Sequence, residues 1–298
     1  MNKLRIHMWT LPRWFALPFF GASLLLGVFL AGGNLTTPYA WLALIAGLLI
    51  MAGGHSFNSY LDYVWTGVDK GEVEQRSAEK TYTGGQSLIA SGTCTTREVL
   101  YNACWWYILA LIPIIYLSVK MSFWVLLLGI LGMLITFWYS KAKFNWTHEL
   151  CLGVGVGPIP LLIGMFSVCG SPDWVTGLIA SVPIAIILSF AGLALDEFPD
   201  AEANLKKGVK SIAYKVWEYR VELGSYLAWW IISMYVYQVL LITLNILHPL
   251  TGITFFLLPL FLGLSVMLKG NFEKFAPIYV IVGALYPMLL TLGQALGR

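Results

Sequence analysis

Asn58 and Asp62 stand one helical turn apart at the end of residues 14–61, a run with no other Asp, Glu, Lys or Arg before Asp62. Asp196, Asp200 and Asn204 repeat the pattern after the uncharged run 174–195, at i, i+4 and i+8, one stripe of a helix if it continues through Pro199. Proline there predicts a kink or a new turn. A basic segment follows each stripe, with Lys70, Arg76 and Lys80 after the first and Lys206, Lys207 and Lys210 after the second. Carboxylates and amides are hard oxygen ligands that suit Mg2+, which takes few protein oxygens and keeps water and phosphate oxygens. Two such stripes facing each other would repel unless cations stood between them. Basic side chains nearby would bind the same phosphate directly. The chemistry these residues point to is a Mg2+–diphosphate site.

The elements that position them are apolar. Of 298 residues, 58% are hydrophobic and 11% charged, with a mean hydropathy of +0.76. Soluble domains run near a quarter charged, so that class is excluded. Residues 121–140, 150–172, 223–268 and 275–297 are also free of Asp, Glu, Lys and Arg. A bilayer core takes about 20 apolar residues per helix, whose backbone satisfies its own hydrogen bonds. Gly, Pro and Asn punctuation divides the chain into nine spans, near 14–32, 38–61, 98–118, 122–140, 149–168, 174–196, 222–246, 251–268 and 276–296. The expected fold is all-α, a polytopic membrane protein forming one domain over residues 1–298.

With nine spans, sixteen of the 18 Lys and Arg fall on the N-terminal side, leaving Lys120 and Arg298 on the other. By the positive-inside rule the N-terminus and both acidic stripes are expected to be cytoplasmic, in the inner cell membrane. The first 33 residues have the basic start and apolar run of a signal peptide, but the apolar stretch is long enough to span. Four cysteines show no CxxC spacing and read as packing residues. The net charge of +3 mostly reports the cytoplasmic loops, so no nucleic-acid partner is expected.

At these residues the sequence resembles the UbiA superfamily of intramembrane prenyltransferases. Asn58 and Asp62 match the ends of that family's first motif, Asn-Asp-x-x-Asp, with Ser59 where Asp is usual. Asp196, Asp200, Gly208 and Lys210 match the second motif, with Asn204 at an Asp position and Trp217 at a common Gly. "TGVDK" (Gly67, Asp69), "TYTGGQSLIASG", the Tyr139–Lys143 stretch and "ELCLGVGVGPIPLLIGMF" are similar to the menaquinone-type branch, whose acceptor is 1,4-dihydroxy-2-naphthoate. The spacing from Asp62 to Asp69 is about one residue longer than in that branch.

The resemblance implies a nine-helix bundle. It also implies Mg2+-dependent transfer of a polyprenyl group from an allylic prenyl diphosphate to an aromatic quinone precursor within the lipid membrane. It makes Asp62, Asp196 and Asp200 catalytic, with Asn58, Asp69 and Asn204 joining them as metal ligands. Arg76, Lys80, Lys143, Lys210, Arg13 and Tyr139 would bind the diphosphate. An aromatic face would shield the allylic cation, and Trp65, Trp105, Trp106, Tyr139 and Trp146 are equal candidates. No acceptor base stands out, and His55 reads as a packed helix residue. "GVGVGP" follows no strand and reads as small residues for close helix packing.

Rival readings start from the same residues. Each charge taken alone is also what an interfacial helix end carries. A secondary transporter would use carboxylates for coupling ions, but near mid-span and on broken helices. These mid-spans are empty of charge. A UbiA-type enzyme with a non-quinone acceptor keeps every motif, and Ser59 and Asn204 suit a prenyl-lipid binder that has lost catalysis.

Overall fold

Runs of apolar residues without charge form helices because lipid leaves the backbone no other partner. A computed structural model describes residues 3–68 and 85–298. Its membrane helices are α1 (Leu17–Leu30), α2 (Pro38–Val64), α3 (Thr96–Lys120), α4 (Trp124–Ala142), α5 (His148–Val168), α6 (Trp174–Glu197), α7 (Leu223–Thr243), α8 (Pro249–Met267) and α9 (Phe272–Leu296). Among the described residues there is no strand. Eight of these helices are long and apolar enough to cross a membrane. The first is shorter than the expected span 14–32. Arg13 takes a left-handed backbone (φ 53°) and Gly32 another (φ 88°), so the helix is confined between them. Its 14 residues rise about 21 Å, short of a bilayer core of about 30 Å.

Each helix packs on its neighbour in sequence, and α9 returns to α1, closing the bundle. The seam across the middle is α1 on α5. A Cβ on Gly27 would stand 1.9 Å from the Leu161 carbonyl oxygen, and one on Gly164 would stand 2.0 Å from that of Leu24. Only glycine lets the two backbones touch, the small-residue packing expected between helices in lipid. The "GVGVGP" stretch acts likewise against α6, where a Cβ on Gly157 would lie 3.0 Å from Ala185 Cβ. Gly157 also breaks α5 into His148–Val156 and Pro158–Val168.

Outward faces are apolar. On α3, Ile108, Ile112, Ile115 and Val119 are exposed while Ala103, Ala110, Ile114 and Leu117 are buried. That helix starts cleanly, because Thr95 and Glu98 form a capping box. The helix α6 is irregular at its far end. It passes through a π segment, Ile187–Gly192, then a short α turn, Leu193–Glu197, and a 3-10 turn, Phe198–Asp200. Pro199 thus starts a new turn, as its chemistry requires, and Ala201–Lys206 continues as a separate helix.

Candidate active site

The last turns of α2 carry the first stripe. Asp62 is fully buried, and Lys143 Nζ donates to its Oδ2 at 2.6 Å. Asn58 Nδ2 donates to the same oxygen at 2.9 Å, and Ser140 Oγ reaches Asn58 Oδ1 at 3.4 Å. A buried carboxylate is costly unless paired. Here the cation beside Asp62 comes from the end of α4, one turn beyond Tyr139. Ser59, standing where the resembled family has Asp, is buried and accepts from the Arg13 guanidinium at 3.2 Å. Arg13 reaches it from a backbone conformation that few non-glycine residues adopt, a strain associated with functional sites.

The second stripe is arranged differently. Asp196 is exposed and its neighbour Glu197 is buried, so the helix end turns one acid outward and one inward. Asp200 closes the 3-10 turn after Pro199. The break means the stripe Asp196, Asp200, Asn204 does not run along one straight helix. Asn204 is buried: its Nδ2 donates to Tyr214 Oη at 2.7 Å, while its Oδ1 has no hydrogen-bond partner among the described residues. A buried amide oxygen left this way is suited to a cation. Among the described residues, no three His, Cys, Asp or Glu side chains gather as a ready-made metal cluster. A Mg2+ here would rest on single oxygens such as Asn204 Oδ1 and be completed by phosphate and water.

Tyr139 joins the two ends. Lys143, one turn on, reaches Asp62, and the Tyr139 ring packs on His148, which stands beside Glu197. Lys143 stands 5.6 Å from the Tyr139 ring centroid and acts electrostatically on Glu197 as well. Of the five aromatic candidates, Trp65, Trp105 and Trp146 are exposed, and Trp106 is held against Trp14 and the Asn102 amide. Tyr139 is the one in contact with both Lys143 and His148. In the basic loop, Lys206 pairs with Glu202, holding that exposed carboxyl below its usual range, and Lys207 Nζ donates to Val68 O at 2.5 Å. Lys210 is exposed. His55, read from sequence as packing, is half-buried, with no hydrogen-bond partner for Nε2 among the described residues. Asp69, Arg76 and Lys80 lie outside the described residues.

Sequence reasoning missed an inner layer. His148 Nδ1 is 2.9 Å from Glu197 Oε1, and the His148 ring packs on Tyr139 with centroids 4.3 Å apart. Glu149 Oε1 accepts from the Ile212 backbone N–H at 2.5 Å. The available signal was an acid at the start of span five and a second acid beside Asp196. Both sit at the same end of the bundle as the stripes.

A profile of the UbiA prenyltransferase family matches residues 20–278. The chain belongs to the UbiA prenyltransferase family. The fold agrees. A UbiA homologue from Aeropyrum pernix K1, in its apo structure, superposes with a TM-score of 0.68 at 14% identity, covering 94% of this chain and 96% of that one. A UbiA homologue from Archaeoglobus fulgidus, bound to DMAPP and Mg2+, gives 0.57 at 14% identity over 97% and 99%. In sequence, the chain is 26% identical over 170 residues to the 1,4-dihydroxy-2-naphthoate octaprenyltransferase of Bacillus subtilis (strain 168). That match spans 56% of this chain and about half, 51%, of the relative. Family and helices together make the chain an integral membrane protein, as the apolar runs led one to expect.

Proposed function

We propose that this UbiA-family enzyme transfers a polyprenyl group from an allylic prenyl diphosphate to an aromatic quinone precursor of the 1,4-dihydroxy-2-naphthoate type. The observation that supports the reading is a run of contacts from the end of α2 to the end of α6: Lys143 donates to Asp62, and Tyr139, one turn before Lys143, packs on His148, which stands 2.9 Å from Glu197. Residues 1–298 act as one membrane domain with the site on the cytoplasmic side, the side that the basic loops favour.

Mg2+ held by Asn58, Asp62, Asp196 and Asp200, with Asp69 and Asn204 as further ligands, would supply neutralisation of the leaving diphosphate. The chain's own residues do the rest. Lys143 keeps the buried Asp62 carboxylate paired before substrate arrives. Lys210, Arg76 and Lys80 would hold phosphate oxygens, and Arg13 braces Ser59, the neighbour of Asn58. The allylic C–O bond breaks and diphosphate takes the electron pair. The face of Tyr139 shields the cation from water. A ring carbon of the acceptor then forms the new C–C bond and gives up its proton.

The test uses purified protein in detergent with geranylgeranyl diphosphate and 1,4-dihydroxy-2-naphthoate, with and without Mg2+, read by mass spectrometry. Prenylated naphthoate and pyrophosphate in equal amounts, only with Mg2+, are expected. Pyrophosphate without prenylated naphthoate overturns the acceptor. Neither product, and no binding of the diphosphate, overturns the reading.

A further inference from the structure

The first turn of α5 is an unusual place for two buried ionisable residues. His148 is fully buried and Glu149 nearly so, at the start of a helix otherwise apolar. Each reaches a different part of the chain. His148 stands at ion-pair distance from Glu197, without the alignment of a full hydrogen bond. Glu197 Oε2 in turn accepts from Ser211 Oγ. Ser211 caps the helix Ile212–Glu218, accepting from the Ala213 N–H at 3.2 Å. Glu149 takes the Ile212 N–H of that same turn, and the Lys210 N–H donates to the Lys143 carbonyl at 2.6 Å. Three links thus fasten the loop after the second stripe to the junction of α4 and α5.

We propose that His148, through Glu197, is a positioning residue for the diphosphate end of the site. It locks the loop bearing Lys207 and Lys210 against the segment bearing Tyr139 and Lys143. The energetics favour this over a purely stabilising role. A buried polar pair such as His148 and Glu197 gains little over apolar residues of the same volume, because desolvation offsets the attraction. What such a pair supplies is a fixed geometry, and this one fixes groups that belong to both halves of the site. The His148 ring, packed on Tyr139, holds that aromatic face at the same time. Neither His148 nor Glu149 touches the substrate in this account. The inference rests on the reading of the site as a prenyl diphosphate site; the loop attachment does not.

The experiment has two arms, on the full chain in detergent. Amide hydrogen exchange over residues 205–213 reads the attachment without substrate. Steady-state kinetics with geranylgeranyl diphosphate reads its consequence. His148→Leu is expected to raise exchange in 205–213 while α7–α9 stay protected, and to raise KM about tenfold with kcat within about threefold, the range of second-layer effects at ion-bound sites. His148→Gln, which keeps a donor toward Glu197, is expected to restore most of both. In a Lys210→Ala background His148→Leu should add little, because both act through one loop. Ser211→Ala cuts the same chain farther out, and should loosen 205–213 if His148→Leu fails to fold. Unchanged exchange in 205–213, or a rise shared equally by α7–α9, overturns the proposal. So does an effect on KM that simply multiplies with that of Lys210→Ala. If the wild type binds no prenyl diphosphate, the functional reading fails, and the exchange arm alone decides the attachment.

Discussion

The two acidic helix ends look alike in sequence and differ in structure. At the end of α2, Asp62 is fully buried, on a regular helix, and already paired with Lys143 and Asn58. At the end of α6, Asp196 is exposed, beyond a π segment and ahead of a 3-10 turn. One end holds a buried carboxylate already paired; the other is an irregular segment tied in place by contacts from α5 and the following loop. Irregular helix turns of this kind recur at functional sites, where they re-aim side chains that a straight helix would stack. In the proposed function this difference would divide the labour, with α2 as a fixed anchor and α6 offering ligands still open to the diphosphate.

Asp62→Ala gives the largest effect expected from this contrast. It should reduce prenyl transfer by about a thousandfold, the upper range for removing one preorganised charge-stabilising group. It should also lower stability by about 3 kcal/mol, because the partly buried Lys143 loses the carboxylate it donates to. Product formation and thermal unfolding check the two parts. Asp196→Ala should cost about a hundredfold in activity but leave stability within about 0.5 kcal/mol, as exposed positions do. A fall in stability matching that of Asp62→Ala would break the contrast. Pairing Asp62→Ala with Lys143→Met sharpens it: the double variant should regain about 2 kcal/mol over Asp62→Ala while staying inactive. The smallest effect belongs to Lys210→Ala, about tenfold weaker diphosphate binding whose size shrinks as salt is raised, as for an exposed cation. Titration at two ionic strengths would show it.

Much of this was legible in the sequence because it is local. Uncharged runs mark the helices, and Asn58, Asp62, Asp196 and Asp200 mark their ends by spacing alone. Pro199 announces its own break. What stayed hidden depends on contacts between distant segments. Nothing near Lys143 says that its ammonium will sit on Asp62, 81 residues away. The burial of Glu197 and the exposure of Asp196 follow from the irregular turns of α6, which leave no mark on the hydrophobic pattern. Arg13 and Ser59 are individually ordinary, and only the left-handed backbone at Arg13 brings them together. The shortness of α1 was missed for a similar reason, since composition counts apolar residues but not the backbone that ends a helix.

The most direct test of a two-ended site is the binding of geranylgeranyl diphosphate, measured by calorimetry with and without Mg2+, in the wild type and in Asp62→Asn and Asp200→Asn. A joint site predicts that Mg2+ tightens binding in the wild type and that either single substitution removes the gain. Wild-type binding that ignores Mg2+, or an Asp200→Asn variant that keeps the full Mg2+ effect, would contradict it.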